Sequence, residues 1–255
     1  MVLPAERINF LKVPIDIVPP EEFPAVISRL IPGMGDKDRI DNKKAYNIVL
    51  LSLWDLLKAR RNNEYRKYVL NAALVIPISK SIIGGIKFLT GKNAERYMPF
   101  NFIISLLTAL EQKEYPLYLL GGKNTVLKKA EKNINLTFPR LKIVGRYEGK
   151  MNKRTEPAVI EAIRKSSPSL LLAGRGIRKS ELWIAKNEDR LNSGLRLWCS
   201  DLFDVFAEKR SRPSDSLFEK GLESFTYASR NPLLFFRIFP YFRYKILLLI
   251  KKIFK

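Results

Sequence analysis

Asp201 and Asp204 stand three residues apart in SDLFD, directly after an apolar run. Two carboxylates at that spacing could act as a base or hold a metal, although aspartate is also common in turns and caps. Two glycine turns supply further candidates. LYLLGGK (117–123) runs an apolar stretch into Gly121-Gly122, and SLLLAGRG (169–176) runs another into Gly174-Arg175-Gly176. Each can be a plain strand-to-helix turn, or can hold backbone N–H groups and a helix N-terminus against a phosphate. The chain has no histidine and one cysteine. A Ser-His-Asp or Cys-His nucleophile, a histidine base, a His-ligated metal and an internal disulfide are thereby excluded. Cys199, on an apolar run beside Trp198, reads as an inert buried thiol. Nothing in the sequence implies a cofactor or a bound metal.

The elements that would position these residues alternate. Short apolar runs at 46–52, 73–77, 116–120, 141–144, 169–173 and 195–199 suit parallel strands buried on both faces. Helix-length segments lie between or after them at 99–113, 124–135, 156–165, 178–191 and 217–228. Thr155 reads as the cap of the segment at 156, with Pro157 in its first turn. The pattern predicts an α/β fold with a mainly parallel sheet sandwiched by helices, Rossmann-like, with both glycine turns at one sheet end. The polar stretch 33–44 reads as a loop. A composition change at SRPSDS (211–216) divides the chain into an α/β domain, 1–212, and a helical C-terminal appendage, 213–255.

The 255 residues carry a formal charge of +21, which calls for an anionic partner: nucleic acid, lipid or a phosphorylated substrate. Residues 230–255 hold seven of the cations and no acid. There Phe235, Phe236, Phe239, Phe242 and Tyr244 interleave with Arg243, Lys245, Lys251 and Lys252. A membrane interface selects this mixture, and an oligomer surface is the competing reading. Pro232 and Pro240 should divide the tail into two short helical pieces, the second starting near Pro240. The start of the chain has no signal-peptide pattern, and no apolar run reaches spanning length. The expected location is the cytoplasm, peripheral on the inner face of the cell membrane.

The order of several segments resembles the WecG/TagA/CpsF glycosyltransferases. The pieces include NFLKVPID, EYRKYVLNAALVIP, Ala94-Glu95-Arg96, LYLLGGK, PRLKIVGRYEGKM, SPSLLLAGRG, KSELW and LFDVFAEKRSR. The resemblance implies transfer of an N-acetylmannosamine-type sugar from a UDP-sugar to a polyprenyl-diphosphate-linked acceptor in cell-surface glycan synthesis. It also implies a site. Arg96, Asn101, Gly121, Gly122, Lys179 and Arg237 take the substrate- and diphosphate-binding positions. Arg96 and Lys179 are expected to meet the diphosphate, in one cleft with Ile78, Asn101 and Glu181.

The match breaks at the signature residues. The family's Thr-Pro-Asn turn is Leu50, Leu51 and Ser52 here, and its Asp-Gly, with the general-base aspartate, is Ile78 and Ser79. Pro99 and Asn101 replace a glycine and an aspartate, and Arg178 and Ser180 replace the proline and glutamine of Pro-Lys-Gln-Glu. Two tail arginine positions fall on Tyr227 and Leu234. The turn and packing residues remain. The expected function is therefore a family protein with impaired or absent catalysis, partnering an active glycosyltransferase or itself. The alternatives are an active transferase with a rebuilt site, using Asp201, Asp204 or Glu181 as base, and a basic nucleic-acid-binding protein.

Overall fold

The computed structural model describes residues 5–31, 47–179, 181–212, 214–221 and 238–254. A hairpin of β1 (Glu6–Phe10) and β2 (Val13–Ile17) opens the fold, turning on Leu11 and Lys12, both with positive φ. Such a two-residue turn matches the twist of the paired strands. After α1 (Phe23–Leu30) come β3 (Asn47–Leu51), α2 (Leu53–Ala59), α3 (Asn63–Leu70), β4 (Leu74–Pro77), α4 (Lys80–Thr90) and α5 (Pro99–Gln112). Then follow β5 (Leu117–Leu120), α6 (Asn124–Thr137), β6 (Ile143–Tyr147), α7 (Glu156–Ser166), β7 (Leu170–Ala173), α8 (Glu181–Lys186), α9 (Glu188–Leu191) and β8 (Leu195–Trp198). The chain continues through α10 (Leu202–Phe206), α11 (Asp215–Lys220) and α12 (Ile238–Ile253).

Strands β3 to β8 form one parallel sheet in the order β4-β3-β8-β7-β5-β6. Alternation along each strand feeds two cores. Ile48, Leu74, Ile76, Leu119, Leu172 and Leu197 meet α1, α5, α6 and α10 on one face. Val49, Leu51, Val75, Leu120 and Leu171 meet α2, α3, α4 and α7 on the other. The hairpin covers the β4 edge. Asp16 accepts both Arg7 nitrogens, at 2.7 and 2.8 Å, and the Val75 N–H at 2.6 Å. An edge N–H and a buried carboxylate thus satisfy each other.

All six expected strands form, and the α/β class stands. Leu120 pairs with Ala173, so the two glycine turns lie at the same sheet end. Several local expectations need correction. The run at 141–144 shifts to Ile143–Tyr147 because β6 is an edge strand, exposed in part, while Leu141 caps the core before it. Thr155 stands at the N-cap position of α7, with Pro157 in the first turn as expected, but its side chain makes no cap bond; its Oγ1 accepts the Asn152 N–H in the preceding turn. The helix expected over 178–191 is two pieces, parted at Asn187, whose buried amide donates to Trp183 O. A side chain bonding the backbone in this way competes with the helix ladder. The helix expected over 217–228 stops at Lys220, where Gly221 takes φ +73°. Helices α1 to α4 and α10 have no counterpart among the expected segments. The 33–44 stretch, residues 222–228 of the segment expected to be helical and the first tail piece around Pro232 lie outside the described residues, as does residue 213 within the 211–216 boundary.

Candidate functional site

A cleft of about 350 Å³ opens at the carboxyl ends of β3, β4 and β8. Open parallel sheets bind ligands in such a crevice. Its walls come from the starts of α2 and α5, the turns after β4 and β8, and α11. Ser52, Asp55, Ile78, Ser79, Phe100, Glu181, Trp198, Cys199, Asp201 and Phe218 all face it.

Local chemistry fixes the wall from β3. Ser52 caps α2 through a reciprocal box with Asp55: Asp55 N–H donates to Ser52 Oγ at 3.3 Å and Ser52 N–H to Asp55 Oδ2 at 3.0 Å. Ser52 Oγ also donates to Asp55 Oδ2, at 2.5 Å. Burial pushes the Asp55 carboxyl above its ordinary range against the pull of these bonds, and the nearby Glu181 adds to the rise. The tyrosine behind it, Tyr65, is also raised by burial and by Asp55. Ser79 Oγ accepts the Leu53 N–H at 2.9 Å, tying the turn after β4 to the start of α2.

Of the residues expected to share one cleft, Ile78 and Glu181 do. Glu181 is buried and accepts Lys58 Nζ at 2.5 Å. Arg96 lies directly behind the wall. Its Nε donates to Ile78 O at 2.8 Å, its Nη1 donates to Phe218 O, and its guanidinium stacks 3.7 Å above the Phe218 ring. It therefore clasps α11 over the turn that carries Ile78. Asn101 and Lys179 are exposed and do not line the cleft.

Asp201 faces the cleft but pairs with Arg175 and Arg210. Asp204 does not line it, and sits 3.4 Å from Arg175. The Cys199 thiol is pushed up to about 12 by burial, so it stays protonated at neutral pH.

The glycine turns spend their amides on backbone carbonyls of the neighbouring strands and turns. Gly121 N–H donates to Tyr147 O, Gly122 N–H to Arg175 O and Gly174 N–H to Leu120 O. A Cβ on Gly121, at φ +130°, would lie 2.8 Å from the backbone of Gly174. The geometry here is a close backbone joint, and the N–H groups of Gly121 and Gly122 are not free to hold a phosphate.

A family model for the WecG/TagA/CpsF glycosyl transferases matches residues 8–255. The chain belongs to this family. A curated relative from Bacillus subtilis (strain 168), the N-acetylglucosaminyldiphosphoundecaprenol N-acetyl-beta-D-mannosaminyltransferase, is 21% identical over 197 residues, covering 77% of this chain and 76% of its own length. Of the positions that the resemblance marks as departures from the WecG/TagA/CpsF signature, Leu50, Ser52, Ile78, Ser79 and Pro99 line the cleft, whereas Leu51, Asn101 and Arg178 do not.

Asp55 was not legible as a site residue from composition or resemblance. The one available signal was the Ser-x-x-Asp pattern after an apolar run, which marks a capping box and not a site. Arg237, Phe235 and Phe236, expected to bind substrate or membrane, lie outside the described residues, as do the positions of Tyr227 and Leu234.

Helix α12 presents the remaining expected contacts. Tyr244 and Leu248 are buried against α4 and the hairpin, and Tyr244 Oη donates to Ser81 O at 2.8 Å. On the opposite side Phe239, Phe242, Ile246, Leu249 and Ile253 are exposed, at the i, i+3, i+4 spacing of one helix face. Arg243, Lys245, Lys251 and Lys252 are exposed along it. Among the described residues no helix is long and apolar enough to cross a membrane.

Proposed function

We propose that this chain is a WecG/TagA/CpsF protein of cell-surface glycan synthesis that holds family-type ligands in the β3–β4–β8 cleft without running the family's transfer. The ligands are a UDP-sugar, as the resemblance implies, and a polyprenyl-diphosphate-linked acceptor, in keeping with the name of the Bacillus relative. The observation that carries the reading is Ile78 in the cleft wall, at a position that the resemblance matches to the family's general base. An isoleucine accepts no proton, and a missing general base costs about two to four powers of ten in rate. Such a protein acts as a partner or regulator of an active glycosyltransferase.

We further infer that it works peripherally on the cytoplasmic face of the cell membrane, with the exposed stripe of α12 in the lipid interface. The stripe supports this reading: large apolar side chains face away from the fold between cations, and no acid lies on the helix.

A rebuilt active site is the second reading, and Asp55 is the observation that favours it. Its carboxyl faces the same cleft on the neighbouring strand's helix, and a raised carboxyl is a better base once ionised.

Titration with UDP-sugar, followed by turnover with the lipid-linked acceptor, tests both. The leading reading expects binding without turnover, and measurable transfer from Ile78→Asp. Turnover by the unaltered protein that Asp55→Asn abolishes would establish the rebuilt site instead. Absence of any nucleotide-sugar binding, with salt-sensitive binding of DNA or RNA, would overturn both.

A further inference from the structure

A second hollow, of about 320 Å³, lies between α2 and α12, away from the cleft. Three guanidinium groups line it: Arg60 and Arg61 from the end of α2, and Arg243 from α12. The rest of its lining is apolar, with Leu57 on one side and Ile246 and Ile250 on the other. Among the described residues, no carboxylate pairs with any of the three arginines. Arg60 spends one nitrogen on Leu11 O, at a long 3.4 Å. Burial, and then the like charges of Arg243 and Arg66, hold Arg60 below its ordinary value. The Nε of Arg66 is itself buried without a hydrogen-bond partner.

Crowded guanidiniums with no carboxylate partner among the described residues repel one another and favour an anion that several of them can share. The apolar half says what else the anion carries. Ile246 and Ile250 belong both to this groove and to the exposed apolar side of α12. A free phosphate would leave that half unused. A phosphate joined to hydrocarbon would fill both halves, its chains passing along Ile246 and Ile250 toward the lipid-facing stripe.

We propose that the groove is a headgroup site for an anionic glycerophospholipid of the bilayer, its phosphate held by Arg60, Arg61 and Arg243. The site takes its setting from the membrane reading above, and it orients the protein on the surface where diffuse charge alone would not. It is separate from the sugar cleft and needs no residue of it.

The full chain is titrated with dihexanoyl phosphatidylglycerol kept below its micelle concentration, so that no bilayer takes part. Parallel titrations use dihexanoyl phosphatidylcholine and glycerol phosphate. The expected result is saturable binding of the phosphatidylglycerol, with both others much weaker. Arg60→Gln, Arg61→Gln and Arg243→Gln combined should weaken it roughly tenfold or more. A charge-matched variant, Lys128→Gln, Lys132→Gln and Lys153→Gln, on α6 and before α7, should leave it unchanged. If the triple arginine variant does not fold, Arg243→Gln alone, at an exposed position, gives the same comparison. Equal losses in the two charge-matched variants would overturn the proposal in favour of diffuse attraction. Glycerol phosphate binding as tightly as the lipid would overturn it in favour of a free phosphate. No binding of the monomeric lipid would overturn it outright. Co-sedimentation with bilayers is scored separately, so a failed membrane reading and a failed groove give different results.

Discussion

Ile78 and Asp55 line the same cleft, and their side chains offer opposite chemistries. Ile78 offers no proton acceptor; Asp55 offers one that burial keeps partly unwilling to ionise. A carboxyl whose folded pKa is raised binds more protons folded than unfolded, so its contribution to stability is lost as pH rises from the unfolded value through the folded one. Asp55→Asn keeps much of the capping geometry but cannot ionise. Chemical denaturation from pH 4 upward should therefore show the Asn variant gaining on the unaltered protein as pH increases. A constant difference across that range would mean that Asp55 is not raised. Arg96 makes a sharper test of the site expected from resemblance. Its guanidinium already holds Ile78 O and Phe218, so Arg96→Ala should cost about 1–3 kcal/mol of stability, read by denaturant titration. If stability is untouched while nucleotide binding falls, the residue serves ligand and not α11.

Two glycine-bearing elements divide sharply in what they tolerate. The turn after β5 lies against the turn after β7 with no room for a side chain at Gly121, which also has a φ of +130°. Gly121→Ala should cost about 2–5 kcal/mol, from backbone strain and overpacking together. In α4, Gly84 faces open space, and Gly84→Ala should gain up to about 1 kcal/mol from helix propensity. One residue on, a Cβ at Gly85 would overlap Tyr244 Oη and press on Phe10, so Gly85→Ala should lift α12 from its seat. Thermal melts of the three variants order these effects. A Gly121 variant as stable as the Gly84 one would refute the close joint between the turns. Helix α12 is thus two-sided: one face completes a core, and the other remains open.

At the scale of the molecule, that two-sidedness bears on membrane binding. Truncation before Arg230 should release the protein from anionic vesicles, but it would also uncover the core under Tyr244. Phe242→Asp with Ile253→Asp touches only exposed positions. It should abolish co-sedimentation while leaving the melting temperature within a few degrees, since exposed substitutions cost little. High salt should weaken binding of the unaltered protein only in part, because apolar insertion is not screened. Complete release by salt would reduce the attachment to charge alone.

The strands were legible because central parallel strands are buried on both faces, which leaves near-continuous apolar runs such as SLLLA and ALVIP in the sequence. Their common direction and the shared end of the two glycine turns followed from the alternation of strands with helices. Order and spacing of short segments also sufficed for the family. What the turns do with their amides was not legible, since Gly121 donating to Tyr147 and Gly122 to Arg175 are contacts between segments distant in sequence. Asp55 carries no mark of its own in the chain; only the meeting of β3, β4 and β8 sets it beside Ile78 and Glu181. Asn101 and Lys179, expected in that cleft by position in a motif, face away because helix phase and turn geometry, not motif order, fix the direction of a side chain. The tail shows the same division. Its composition announced an amphipathic, cationic surface, but a helix has more than one face. Which face meets the fold depended on Tyr244 finding Gly85 and Ser81 across 163 residues of chain.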